Sequence, residues 1–328
     1  MKEYSKAIWD IISQSTYIQI EKYCDAEVYT VYHYTSPEGL LGIFPENKDP
    51  KLWFTKYDSL NDTSERTNII DYLSGYCDRR AREGKISLIF AEAIKSIQLS
   101  DYILITLPGK KPIELKNNGI VDDWTELKNV PCDAYLCCFS KKSDLLPMWN
   151  YYSKSQHYEG YSVGFLSSVF DRSLSFEKGY SIELKKVLYE DNEKDDLLDR
   201  IILPFSNLFT ESVSDRDDIT QIIQAKINEL QFVFKKECFR HEEEIRAILY
   251  IPQQPLLIDE TEFSVKYRNS HGYIVPYVEY PVMKDAVVRI TVAPLLQADL
   301  AIKNLSEMLQ KRGCNNVKIK SSDVPIRF

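Results

Sequence analysis

Residues 239–251 alternate in character in a way that favours a β-strand with two unlike faces. The apolar row consists of Ile245, Ala247, Leu249 and Ile251, and the polar row of Glu242, Glu244 and Arg246. Two carboxylates on one face repel each other and are costly to dehydrate, so a cation or a polar ligand is expected to compensate them. The alternative is an exposed strand edge at which Arg246 pairs with Glu244 in water.

The charge and the cysteine content of the 328-residue chain limit the kinds of ligand and the cellular compartment that we expect. The net charge is −8, which argues against a general electrostatic grip on nucleic acid. The seven cysteines are scattered and odd in number, and the four histidines lack metal-ligand spacing, so we expect reduced thiols and no metal site. Neither a signal peptide nor a transmembrane run is evident. These features predict a cytoplasmic protein with no membrane partner.

The order of elements predicts an α+β fold. We expect an N-terminal helical extension over residues 1–26 and a single α+β domain over residues 27–328, with helical insertions at about 64–100 and 191–237. The strands are interspersed with helices without a regular βαβ rhythm, which favours a mixed sheet with flanking helices. Residues 101–130 contain Pro108-Gly109 and Asn118-Gly119 and are predicted to be rich in loops.

Two polar clusters lie in the first part of the chain. In the first, His33 ends a predicted strand within the run Tyr32, His33, Tyr34, Thr35. Its imidazole can hydrogen-bond a sugar hydroxyl or simply satisfy backbone groups at the turn. The second cluster comprises Asn61, Asp62 and Glu65. Because Asn and Asp favour turns and Glu suits a first helical turn, a structural role is the better interpretation there.

A third cluster combines Ser140, at the end of a buried-looking strand, with Trp149 and Tyr152. Ser140 is not the nucleophile elbow of a hydrolase, because no Gly-x-Ser-x-Gly surrounds it. Trp149 and Tyr152 lie three residues apart on one helical face, where such a pair is either core or a stacking platform. The chain also lacks the glycine-rich phosphate loops of Rossmann dehydrogenases, P-loop NTPases and kinases.

Taken in order, these clusters resemble the large, mostly bacterial family called domain of unknown function 2971. The matching motifs are Tyr32 to Thr35, Asn61-Asp62 with Glu65, Cys138 to Ser140, Met148-Trp149 with Tyr152, Gly160 with Gly164-Phe165, Val187 with Tyr189, and Phe239 with Glu242, Glu244 and Arg246. The resemblance runs from about residue 29 to the C-terminus. It departs from the family at Thr63, where a proline is usual, and at Phe239, which replaces a tryptophan. The family label itself implies no activity.

A more distant resemblance, to the ADP-ribosyltransferase layout, implies a mechanism. It implies a split, antiparallel-rich sheet that holds NAD, with His33 on a ribose hydroxyl. Glu244 or Glu242 would hold the other hydroxyl and stabilise positive charge on the sugar as nicotinamide leaves. The catalytic set implied is Glu244, Glu242 and His33. The NAD-binding set implied is His33, Tyr34, Thr35, Trp53, Tyr57, Ser140, Trp149, Tyr152 and Arg246, supported by Asn61, Asp62 and Glu65.

Three functions follow from these patterns. The first is an NAD-dependent ADP-ribosyltransferase, a toxin-like or antiphage defence effector that modifies nucleic acid or protein. The second is a metal-dependent nuclease or hydrolase that uses Asp62, Glu65, Glu242 and Glu244, although Arg246 would repel its metal. The third is a noncatalytic module that senses a ligand or binds a partner.

Overall fold

The computed structural model describes most of the chain. The described residues are 6–12, 28–60, 63–100, 102–107, 114–115, 119–120, 128–152, 159–170, 180–209, 213–253, 263–270, 272–294 and 297–325. Of the predicted N-terminal extension, only helix α1 (Lys6–Ile12) lies within these ranges. Within them, no helix is long and apolar enough to cross a membrane.

An eleven-stranded sheet organises the chain. Its strands are β1 (Thr30–Thr35), β2 (Lys51–Lys56), β3 (Ile103–Leu107), β6 (Lys128–Ser140), β7 (Tyr161–Leu166), β8 (Ser181–Lys186), β9 (Glu244–Pro252), β10 (Lys266–Ser270), β11 (Tyr273–Pro281), β12 (Val287–Val292) and β13 (Lys318–Ser321). The short strands β4 (Glu114–Leu115) and β5 (Gly119–Ile120) pair separately. The main strand order is β10-β11-β2-β6-β1-β7-β12-β13. In addition, β3 and β9 each pair with β6, and β8 pairs with β9. The pairs are antiparallel except β12 with β13, as predicted for a mixed, antiparallel-rich sheet.

The sheet is divided between β1 and β2. Strand β9 pairs with residues 132–140 of β6 and so occupies one edge of that strand. On the opposite edge, β1 pairs only through Tyr32 with Ser140, whereas β2 pairs through Thr55 with Leu136 and Lys56 with Tyr135. Residues 137–139 of β6 therefore have neither strand as a ladder partner. We call this gap the divide.

Helices cover both faces of the sheet. They are α2 (Pro37–Ile43), α3 (Thr63–Arg82), α4 (Leu88–Lys95), α5 (Leu146–Tyr152), α6 (Asp191–Ile202), α7 (Val213–Leu230) and α8 (Ala298–Lys311). The helices α3, α4, α6 and α7, which lie in the two predicted insertions, share a core with Leu136 and Ile248 on one face. On the other face, α2 and α8 pack with Phe139 and Ile245. Alternating residues of β6 and β9 thus enter two different cores.

The cysteines of the described residues are free thiols. Six of the seven fall in these ranges, and Cys132, Cys137 and Cys77 are buried. Burial raises the pKa of Cys77 and of Cys132 to about 12, so both are protonated at neutral pH. The expectation of reduced thiols agrees with this arrangement.

Candidate functional site

A lysine neutralises the two carboxylates that the sequence places side by side. Lys235, between α7 and β9, has its Nζ 2.6 Å from Glu242 Oε2 and 2.9 Å from Glu244 Oε2. The side chains of Glu242, Glu244 and Lys235 are each at most 8% exposed. The ammonium therefore occupies the position at which a compensating cation was expected, and the ring of Phe239 lies 5.0 Å from it.

Arg246 completes the cluster through a two-point contact. Its Nε donates to Glu244 Oε1 at 2.9 Å and its Nη2 to Glu244 Oε2 at 3.0 Å. Its Nη1 donates to the carbonyl of Phe232 at 3.0 Å. Two carboxylates and two cations thus form a buried cluster in which the charges of these four residues balance. We call it the ion network: Glu242, Glu244, Lys235 and Arg246. The ion pair of Arg246 with Glu244 was foreseen for an exposed edge, but Arg246 is 2% exposed.

Hydrogen bonds from neighbouring elements fix the ion network. Ser140 Oγ donates to the carbonyl of Glu242 at 2.8 Å, and the amide of Glu244 donates to the hydroxyl of Tyr189 at 3.0 Å. The Cys138 side chain also hydrogen-bonds Glu244. Tyr152, on α5, faces the same group. Although 41% of the residue is exposed, burial of its hydroxyl raises the pKa of that hydroxyl, and Cys138 and Glu244 raise it further. The Ser140 hydroxyl therefore fixes the backbone of Glu242.

The predicted polar row begins two residues later than expected, at Glu244 instead of Glu242. Glu242 ends a 3₁₀ helix (Glu237–Glu242), and Glu243 is left-handed with φ of 45°. Strand β9 begins at Glu244, so Glu242 is not on the strand, and the prediction of a three-residue row was wrong in this respect. The expectation of a half-buried strand was also wrong, because β6 and β8 flank the two edges of β9 and its two faces pack into the two cores.

The pH dependence of folding should report on Glu244. Burial raises the pKa of its carboxyl, but Arg246 and Lys235 outweigh burial and bring it to about 2. The unfolded value is about 4.3, so this group stabilises the fold fully above that pH and loses its effect as pH falls toward 2. We expect the difference in unfolding free energy between wild type and Glu244→Gln to shrink by about 2 kcal/mol from pH 6 to pH 3.

Urea unfolding at both pH values measures this change. Glu243→Gln is the matched control, because the described residues provide no ion pair for the Glu243 side chain. If the difference in unfolding free energy between wild type and Glu244→Gln stays constant from pH 6 to pH 3, then Glu244 is not a buried, ionised carboxylate.

His33 lies at the divide. Its Nδ1 is 2.9 Å from the carbonyl oxygen of Cys138, and its ring makes an edge contact with Phe139 at 5.7 Å. Burial lowers the pKa of His33, and the charge of Arg268 lowers it further, against the effect of the Cys138 hydrogen bond. The imidazole is therefore neutral at pH 7. Because a carbonyl can only accept, Nδ1 carries the proton and Nε2 is an acceptor.

His33 and Glu244 point to opposite faces of the sheet. Tyr32 lies opposite Ser140, and Ser140 lies opposite Glu244, so these three side chains share a face. His33 follows Tyr32 and turns to the other face, next to Phe139. The divide and the ion network are therefore adjacent but are separated by the plane of β6.

The aromatic candidates fall into two groups. Tyr34 and Trp149 are buried in a small core, with ring centroids 4.7 Å apart, and the Tyr34 hydroxyl donates to the carbonyl of Lys142. Tyr57 is buried in the core that α3, α4, α6 and α7 share, and its hydroxyl donates to the carbonyl of Ser100 at 3.3 Å. In contrast, Trp53 is 37% exposed. Trp53 is therefore the aromatic candidate on β2 that a ligand can reach.

The remaining candidates are placed as follows. Thr35 ends β1, and its Oγ1 lies so close to α2 that a Cβ at Gly39 would stand 2.0 Å from it. Tyr152 is 41% exposed at the end of α5. Asn61, Asp62 and the side chain of Glu65 lie outside the described residues. Among the residues that are described, no group of three or more His, Cys, Asp or Glu is arranged to hold a metal ion.

Two cations at these sites were missed from the sequence. Lys235 stands seven residues before Glu242, and only the return of the chain after α7 brings it between the two carboxylates. Arg268 lies on β10, and its Nη2 donates to Thr55 Oγ1 at 3.0 Å beside Trp53. Neither belongs to an alternating or helical pattern that would have marked it.

One family model matches the chain. The model described as protein of unknown function (DUF2971) matches residues 148–247, which is less than half of the chain. This stretch contains Trp149, Tyr152, Tyr189 and the whole ion network, and it supports the resemblance predicted from the motifs. No curated protein matches the chain, and no solved structure matches it.

Proposed function

We propose that this protein is an ADP-ribosyltransferase-like enzyme that binds NAD at the divide and transfers its ADP-ribose to nucleic acid or protein. The observation that carries the proposal is the neutral imidazole of His33 at a gap in an antiparallel sheet. With Nδ1 committed to Cys138, Nε2 is an acceptor suited to a ribose hydroxyl. Trp53 supplies a partly exposed aromatic ring on β2.

The reaction breaks the bond between C1′ of the ribose and the nicotinamide nitrogen. An oxygen or nitrogen of the acceptor bonds to C1′, and the proton of the acceptor passes to a base. Positive charge develops on the sugar during this step, and a fixed carboxylate stabilises it. The resemblance assigns this role to Glu244 or Glu242, although Glu244 lies on the face of β6 opposite to His33 and is held by Arg246 and Lys235. A toxin-like or antiphage setting belongs to the proposal on the strength of the resemblance alone.

A second candidate is an NAD-responsive module without turnover. The observation that favours it is the state of Glu244, whose two oxygens are held by Arg246 and Lys235 on the face opposite to His33. In this case the ion network is structural, and the divide alone carries the function. The two candidates share the ligand and differ in the reaction.

Two substitutions of His33 test the proposal. Asparagine retains a donor near the position of Nδ1 but lacks Nε2, whereas glutamine places an amide near Nε2. We expect His33→Asn to lower kcat/KM for nicotinamide release by about tenfold or more, as for loss of a hydrogen bond to substrate. His33→Gln should lose less.

Chromatography of nicotinamide released from NAD, in chelator and with nucleic acid or protein added, measures this activity. Nicotinamide release by the wild type, together with slower release by a Glu244→Gln variant whose fold is unchanged, supports the transferase. NAD binding without release supports the second candidate. Cleavage of the added nucleic acid or protein that requires magnesium or manganese and stops in chelator would instead favour the metal-dependent nuclease or hydrolase.

A further inference from the structure

Arg268 is a half-buried cation beside the divide. It lies on β10, and its guanidinium carbon is 5.8 Å from the centroid of the Trp53 ring. Its Nη2 donates to Thr55 Oγ1 at 3.0 Å, which holds the group over β2. Its charge also acts on the pKa values of His33 and Cys137, so it lies within electrostatic reach of both. Arg268 therefore connects β10 with β2 through Thr55 and acts electrostatically on two residues at the divide.

The charge of Arg268 has no acid to balance it in the described part of the chain. Its Nε is buried and has no hydrogen-bond acceptor there. Burial lowers the pKa of Arg268, and the groups that oppose this effect are Tyr277 and Cys137, neither of which is a carboxylate. By contrast, Arg246 is held at two points by Glu244. A buried guanidinium nitrogen without an acceptor is costly unless a ligand supplies one.

The nearest acid on these strands is already neutralised. Glu279 of β11 lies opposite Trp53 and accepts from Lys51 at 2.6 Å and from Lys266 at 2.7 Å. Among the described residues, Arg268, Lys51, Lys266 and Glu279 lie on the strands around Trp53, and this set carries two more positive charges than negative ones. Such a surface favours a ligand that combines negative charge with an aromatic ring.

We infer that Arg268, Thr55 and Trp53 form a binding site for the diphosphate of a nucleotide. The guanidinium of Arg268 binds the phosphate oxygens, while the partly exposed indole ring of Trp53 offers a stacking surface for the base. This deepens the proposed function, on which it rests for the identity of NAD. It moves the phosphate-binding role from Arg246 to Arg268, because Arg246 is saturated by Glu244 and Phe232.

Calorimetric titration with ADP, pyrophosphate and adenosine tests the site. We expect Arg268→Gln to weaken ADP and pyrophosphate by about tenfold or more, with adenosine unchanged, as for loss of a charge-assisted hydrogen bond. Arg268→Lys should regain part of the affinity because it restores the charge. Arg82→Gln is the matched control, since it removes an exposed arginine on α3, outside the proposed site. Circular dichroism and the melting temperature verify the fold of each variant.

The outcomes separate this inference from the proposed function. ADP binding that depends on Arg268, without any nicotinamide release from NAD, supports the site and refutes the transfer. Nicotinamide release with an unchanged KM for NAD in Arg268→Gln supports the transfer and overturns the site. Equal ADP affinity in wild type and Arg268→Gln, or no binding of ADP or pyrophosphate to wild type, also overturns it.

Discussion

Replacing Lys235 by methionine is expected to lower the free energy of unfolding by about 3–5 kcal/mol, the usual cost of removing one partner from a buried ion pair. The substitution keeps the length and apolar stem of the side chain but removes the ammonium that bridges Glu242 and Glu244. The ion network then carries a net negative charge within a region that is at most 8% exposed. Urea unfolding at pH 7 measures the loss.

A double substitution distinguishes this account from simple loss of packing. In Lys235→Met with Glu242→Gln, the buried charges again balance, because Arg246 pairs with Glu244. We expect the double variant to be more stable than Lys235→Met alone. Lys236→Met, one residue on and exposed, is the control and should change the stability by less than about 0.5 kcal/mol. A Lys235→Met protein as stable as this control contradicts the role given to the ion network.

Truncating Trp149 to alanine should also cost about 3–5 kcal/mol of stability. The side chain is 1% exposed, its ring lies against Tyr34, and its Nε1 donates to Asp144 Oδ1 at 2.8 Å. Asp144 in turn accepts from Ser322 Oγ and from the amide of Asp323, which attaches the C-terminal segment. Loss of the indole therefore removes core volume and loosens the contact that holds Asp144.

Two variants on the same helix sharpen this test. Trp149→Phe keeps most of the volume but not the hydrogen bond, so it should lose less stability than Trp149→Ala. Tyr151→Ala changes a side chain that is 55% exposed and should cost much less than Trp149→Ala. Thermal and urea unfolding provide the comparison. If Trp149→Ala keeps its stability but no longer binds NAD, then Trp149 is a ligand contact and not a core residue.

The local patterns of the sequence predicted the elements that apolar periodicity marks. Strand β9 follows the alternation of Ile245, Ala247 and Leu249, and the start of α2 follows the cap by Ser36, whose hydroxyl accepts from the amide of Gly39. Strand β10 was missed because Lys266 to Ser270 is polar and lies largely exposed at the edge of the sheet. Strand β3 was predicted as loop, since its pairing with residues 128–132 of β6 is not visible from local composition.

The candidate site was predictable only in part, because its parts meet through long-range contacts. The acids of the ion network and its arginine were apparent from their spacing. The lysine between the acids was not, because the turn that returns residues 231–236 to β9 leaves no periodic signal. Likewise, the sequence predicted a histidine at the end of a strand, whereas β1 continues to Thr35. Only the pairing of β1 and β2 along one edge of β6 shows that His33 lies at a gap.

The most direct test of this account is a calorimetric titration of wild type and of His33→Asn with NAD. We expect wild type to bind NAD saturably. In His33→Asn, the affinity for NAD should be about tenfold weaker or more, at an unchanged melting temperature. Equal NAD affinity in the two proteins, or no binding of NAD to wild type, would contradict it.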